Sequence, residues 1–129
     1  MANATSITLH SLSVDTGKKD IVADVLDTGT AAVTLAFTPA GDTHNILLEF
    51  TNTAVAANAM TVAILAGDNP PAFLASAGDL TLTIAQNEVH YVCIDSARFM
   101  QDDGTISVTS TPAASQTQTL KIKAIKLPK

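Results

Sequence analysis

The sequence predicts an all-β chain: an antiparallel β-sandwich or jelly-roll-like single domain, preceded by a segment that is either an extended N-terminal arm or the first strands. Three observations lead there. Apolar residues alternate with period two through most of the chain after residue 32, which puts one face of each strand in a core. Clusters of turn formers punctuate the alternation. The connections between rows are too short for most parallel crossovers, so neighbouring strands run antiparallel.

Residues 1–30 read as the arm or first strands, and residues 31–129 as the sandwich. Ile7 and Leu9 alternate with Thr8 and His10, so a short strand is expected there. Residues 20–26 fit a strand or one to two helical turns, with strand preferred. The segment also fits an arm that orders on a neighbour, since a terminus is ordered only where something ties it down.

Val33, Leu35 and Phe37 then form one apolar row, and Ile46, Leu48 and Phe50 the next, with Glu49 and Thr51 opposite. Met60, Val62 and Ile64 repeat the pattern, followed by Leu80, Leu82 and Ile84 against Thr81 and Thr83. Val89, Tyr91 and Cys93 continue it as the expected inward row, which sends His90 to the outer face and makes Cys93 a buried small hydrophobe. Asp102-Asp103-Gly104 is a turn signal before a strand carrying Ile106 and Val108. In residues 119–127, Leu120, Ile122 and Ala124 alternate with Lys121 and Lys123, lysines that suit an exposed face or a guarded sheet edge.

The chain has 129 residues, enough for one core without staples. Apolar residues make up 47% but aromatics only 4%, so the core is aliphatic, with Phe37, Phe50, Phe73, Phe99 and Tyr91 as expected anchors. The net charge of −5 argues against a nucleic-acid partner, whose backbone demands a Lys/Arg surface. No run approaches the roughly 20 apolar residues of a membrane helix, and the N-terminus lacks the pattern of a secretory signal, so no membrane partner is expected and synthesis is expected in the cytoplasm. A single cysteine cannot form an internal disulfide.

Chemistry-bearing patterns are sparse, and the expectation is no enzyme, no cofactor and no metal. His10, His44 and His90 are far apart and show no zinc-ligand spacing. No serine stands in a G-x-S-x-G context. His90 lies three residues from Cys93, which in a strand puts them on opposite faces and disfavours a Cys-His pair. Asp15, Asp20, Asp24, Asp27, Asp102 and Asp103 lack the alternating spacing of a calcium loop. Gly17-Lys18-Lys19 lacks the rest of a phosphate loop. The segment Asn69-Pro70-Pro71-Ala72-Phe73-Leu74 is the candidate partner-binding loop. Pro70 and Pro71 lower the entropy lost on docking, while Phe73 and Leu74 offer apolar area; the alternative is that Phe73 folds back on its own core.

The run Asn45-Ile46-Leu47-Leu48-Glu49-Phe50-Thr51-Asn52-Thr53 resembles a strand ending in a short Asn-rich turn in a family of small β-sandwich proteins. That family occurs in the head-gene clusters of tailed bacteriophages and prophages. Gly67-Asp68-Asn69-Pro70-Pro71-Ala72-Phe73, Gly78-Asp79-Leu80-Thr81-Leu82-Thr83-Ile84, Ser96-Ala97-Arg98-Phe99-Met100-Gln101 and Asp103-Gly104-Thr105-Ile106-Ser107-Val108 resemble segments that follow it. Residues 1–40 lie outside the likeness. The resemblance implies a capsid decoration, cement or auxiliary protein on the virion surface, commonly a homotrimer, with the major capsid protein as partner. A carbohydrate-binding or adhesion module, and a tail or neck component, are the alternative readings.

Overall fold

The computed structural model describes residues 3–19, 21–39, 46–55, 57–68, 77–94 and 96–128. Among the described residues nine strands follow in chain order: β1 (Leu9–Ser11), β2 (Asp24–Leu26), β3 (Val33–Phe37), β4 (Ile46–Asn52), β5 (Met60–Ile64), β6 (Leu80–Ile84), β7 (Val89–Ile94), β8 (Ile106–Thr111) and β9 (Leu120–Lys126). One helical turn, α1 (Ser96–Phe99), separates β7 from β8.

The strands form two sheets. One runs β1-β9-β4-β7, with β2 also on β9, and the other runs β3-β8-β5-β6. Setting β1 aside, the eight remaining strands are ordered 2-9-4-7 and 3-8-5-6, with antiparallel pairing throughout. Successive strands cross from one sheet to the other everywhere except at the β5–β6 hairpin. This is the strand order of a jelly roll, a sandwich of two Greek keys. β1 is an addition, pairing parallel to β9 from Leu9↔Ala124 to Ser11↔Lys126.

The alternating rows meet between the sheets. Ile46, Leu48, Phe50, Met60, Val62, Ile64, Ile84, Ile106, Leu120, Ile122 and Ala124 are all fully buried, and Leu35, Phe37, Val108 and Phe99 nearly so. Ile7 and Leu26 belong to the same cluster, so these two residues of the N-terminal segment share the sandwich core. The N-terminal segment is tied onto β9 by β1 and β2. It is further held by Asn3, whose Oδ1 accepts from Asp27 N at 2.8 Å and Thr28 N at 2.9 Å, and by Asp24, whose Oδ2 accepts from Thr8 N at 2.7 Å.

The Asp102-Asp103-Gly104 turn forms as the sequence predicts. Gly104 N donates to Gln101 O, Asp103 accepts from Thr105, and Gly104 adopts a φ of 84° that its lack of a Cβ permits. β9 is an interior strand, which places Lys121 and Lys123 on an exposed face and removes the edge alternative.

One strand is turned over relative to expectation. In β7, Tyr91 is 64% exposed and Cys93 is exposed, whereas His90, Val92 and Ile94 lie on the core side. Cys93 is therefore not a buried hydrophobe, Tyr91 is not a core anchor, and His90 is not on the outer face. The register with β4 is the reason. Ile94, Val92 and His90 stand opposite Ile46, Leu48 and Phe50, and directly opposed residues share a face. Apolar side chains occupy both faces of Val89-His90-Tyr91-Val92-Cys93-Ile94, so alternation alone does not choose between them. His90 and Cys93 do lie on opposite faces, as their spacing requires.

Candidate interaction surfaces

Jelly-roll topology brings the β2–β3, β4–β5, β6–β7 and β8–β9 connections to one end of the sandwich, where a buried amide network locks them together. Asn52, ending β4, is fully buried. Its Nδ2 donates to Asn58 O at 2.7 Å and Ile84 O at 2.9 Å, and its Oδ1 accepts from Ala54 N at 3.0 Å and the Thr119 hydroxyl at 2.8 Å. Asn58 Nδ2 donates to Thr117 O at 2.9 Å, and its Oδ1 accepts from Ala113 N at 3.2 Å. Gln118, also fully buried, donates to Ala31 O and Ser110 O, both at 2.9 Å, and accepts from the Ser110 hydroxyl at 2.8 Å.

Three amide side chains thus satisfy backbone groups from the β2–β3, β4–β5 and β8–β9 connections and from the end of β6. Buried polar groups carry a large penalty unless paired, and here the pairing fixes the loops' relative positions. The β4–β5 and β6–β7 connections line a shallow groove of about 350 Å³ with Ala57, Asn58, Ala59, Ala85 and Gln86. Val55, in the same β4–β5 connection, is 93% exposed.

The β6–β7 connection is held tightly. Glu88 N donates to Ala85 O at 3.0 Å, Ala85 N donates to the Glu88 carboxylate at 2.8 Å, and Asn87 takes a φ of 61°. The Ala85 N–H, followed by the His90 ring at 3.3 Å, holds the Glu88 carboxyl below its ordinary 4.5.

The second surface is the outer face of the β1-β9-β4-β7 sheet. The registers place Cys93 beside Leu47, Tyr91 beside Glu49 and Val89 beside Thr51, and continue these rows to Ile125, Lys123 and Lys121 on β9. Lys123 Nζ lies 3.8 Å from Glu49 Oε1, so these charges face each other in the middle of the sheet. The β7 margin carries Val89, Tyr91 and Cys93 with no charge among them. The opposite sheet presents Thr34, Thr61, Thr81, Thr83 and Thr109 on its outer face, uncharged and hydroxyl-rich.

The loop residues Pro70, Pro71, Phe73 and Leu74 lie outside the described residues, as does His44. His10 Nε2 contacts Val22 O at 3.3 Å and His90 contacts Glu88. Among the described residues no group of three or more His, Cys, Asp or Glu side chains is gathered as metal ligands. No helix among them is long and apolar enough to cross a membrane.

The sequence reading missed both surfaces. The loop-end network had a signal in Asn52, Asn58 and Gln118, polar residues beside strand ends. The β7 margin had one in the second apolar row of that strand.

Comparisons with protein-family models, with curated proteins and with solved structures find no match to this chain.

Proposed function

We propose that this chain is a non-enzymatic structural protein of a virion that decorates or cements the capsid of a tailed bacteriophage by bridging major capsid protein subunits. The observation that carries the reading is the locked loop end. Three connections and the end of β6, fixed by Asn52, Asn58 and Gln118, make a contact end that loses little conformational freedom on docking, and Val55 supplies an exposed apolar point on it. The jelly roll is an architecture that recurs in viral capsid domains. The resemblance of residues after 44 to phage head proteins points the same way. Repeated copies on a symmetric shell then supply avidity from modest single contacts.

The deciding experiment adds purified chain to shells that lack it. Saturable binding at a stoichiometry fixed by the shell's symmetry supports the reading, and absence of binding sinks it. Val55→Asp is expected to weaken binding while leaving the fold intact, because the side chain it replaces contributes nothing to the core.

A carbohydrate-binding module is the second reading, favoured by the groove at Ala57, Asn58, Ala59, Ala85 and Gln86, since jelly rolls also serve as lectin domains. The groove's described lining contains no aromatic side chain for sugar stacking. Defined specificity on a glycan array would shift the assignment to this reading.

A further inference from the structure

We infer that β7 is a self-complementary edge through which two copies of this chain associate, extending the sheet across a twofold axis at Tyr91. The inference is independent of the capsid reading.

β7 ends its sheet, and among the described residues it pairs with β4 alone. The hydrogen bonds fix which backbone groups face outward. Asn52 N donates to Glu88 O, and Thr53 N donates to Thr119 O on the other side of β4. Antiparallel strands alternate the direction of their backbone groups, so His90, Val92 and Ile94 point theirs at β4. Val89, Tyr91 and Cys93 therefore point theirs at the free edge. Edge strands are normally protected by lysine, proline or an inward charge. Residues 89–94 carry no lysine and no proline, and the inward His90 is charged only when protonated.

The side chains also leave this margin open. Val89 is 43% and Tyr91 64% exposed on the outer face. On the core side, Val92 of β7 and Leu80 and Leu82 of β6 are only partly buried, and β6 is the edge strand of the other sheet on the same side of the sandwich. An added strand beside β7 would cover these partly buried side chains further.

A second copy fits because the strand complements itself. An antiparallel pairing centred on Tyr91 sets Tyr91 against the partner's Tyr91, Val89 against the partner's Cys93, and His90 against the partner's Val92. The outward backbone groups of Val89, Tyr91 and Cys93 then all find partners. Glu88 falls opposite the partner's Ile94, so the two Glu88 carboxylates sit at opposite ends of the junction. Aromatic and β-branched cross-strand pairs are favourable in this arrangement. The contact is small, which places the dimer in the weak class.

The register supplies a specific test. At a hydrogen-bonded antiparallel pair the Cα atoms lie about 5.5 Å apart, inside the roughly 4.4–6.8 Å span of a disulfide. Val89→Cys therefore places a thiol opposite the partner's Cys93, while the two thiols within one chain stand about 13 Å apart along the strand. Oxidation of this variant is expected to give a covalent dimer on a non-reducing gel, and the unmodified chain, with only Cys93, is not.

Sedimentation over roughly 10 µM to 1 mM is expected to move the unmodified chain toward twice its 13.3 kDa mass. Tyr91→Lys, a change at an exposed position, is expected to hold it at the single-chain mass with an unchanged circular dichroism spectrum. A chain that stays monomeric at the highest concentration overturns the inference and leaves the edge to a foreign strand. A dimer that ignores Tyr91→Lys, or one in which Val89→Cys does not cross-link, overturns it equally. Shell binding by Tyr91→Lys separates the two proposals, since that variant loses the dimer and keeps the loop end.

Discussion

Replacing Asn52 by alanine removes four hydrogen bonds at a site with no solvent exposure. The Ile84 and Asn58 carbonyls, the Ala54 N–H and the Thr119 hydroxyl each lose a partner. A buried polar group left unpaired costs about 1–3 kcal/mol. Taking the low end for all four, because water can enter the space vacated by the amide, gives about 4 kcal/mol. That is a large share of the 5–15 kcal/mol typical of a domain. At roughly 3–5 °C per kcal/mol for a chain of this size, the melting temperature is expected to fall by about 12–20 °C.

Asn52→Asp sharpens the test because it keeps the shape and removes the donors. The carboxylate would face two carbonyl oxygens in a desolvated site, so its folded-state pKa rises above the unfolded value of about 3.9. The folded state then holds the extra proton, and stability falls as pH rises from about 4 through the raised pKa. The deficit relative to the unmodified protein is therefore smallest in acid and largest at neutral pH. Urea unfolding at pH 4 and pH 7 reads both effects. A loss under about 1 kcal/mol for the alanine variant, or a pH-independent deficit for the aspartate variant, would refute the claim that this network holds the loop end.

Gly67→Ala is expected to destabilise the far end of the sandwich, because an added Cβ would lie 2.8 Å from Met100 N and tighter still on the Met100 carbonyl. The same contact brings Gly67 N to Arg98 O and Asp68 N to Met100 O, so thermal melting should show a loss of about 1–3 kcal/mol, the range of overpacking. Cys93 should react fully with a thiol reagent in the native protein at a rate close to that of the unfolded chain, and protection until unfolding would contradict its exposed placement. Glu88 should titrate below 4.5 by NMR. Its contribution to stability is present above that value and is lost as pH falls through the depressed folded pKa, so Glu88→Gln should flatten the acid limb of the stability profile.

Most of the strands were legible because their two faces differ in chemistry. β4 sets Ile46, Leu48 and Phe50 against Glu49 and Thr51, and β9 sets Leu120, Ile122 and Ala124 against Lys121 and Lys123. Only one orientation buries the apolar row, so pattern alone decides it. β7 lacks that contrast. The loop-end network was not legible for a different reason: Asn52, Asn58 and Gln118 carry the composition of surface turns, and only the convergence of chain-distant connections and strand ends gives their amides buried partners.

The amino-acid sequence by itself determined the all-β class, most of the inward rows and the Asp102-Asp103-Gly104 turn, since period-two alternation and turn chemistry act over a few neighbouring residues. The tertiary structure alone decided the jelly-roll strand order, the inward turn of His90, the outward turn of Tyr91 and Cys93, and the locking of the loop end. Each depends on which strand lies beside which. That is set by register and by pairings between residues far apart in the chain, such as Gln118 and Ala31, 87 positions apart.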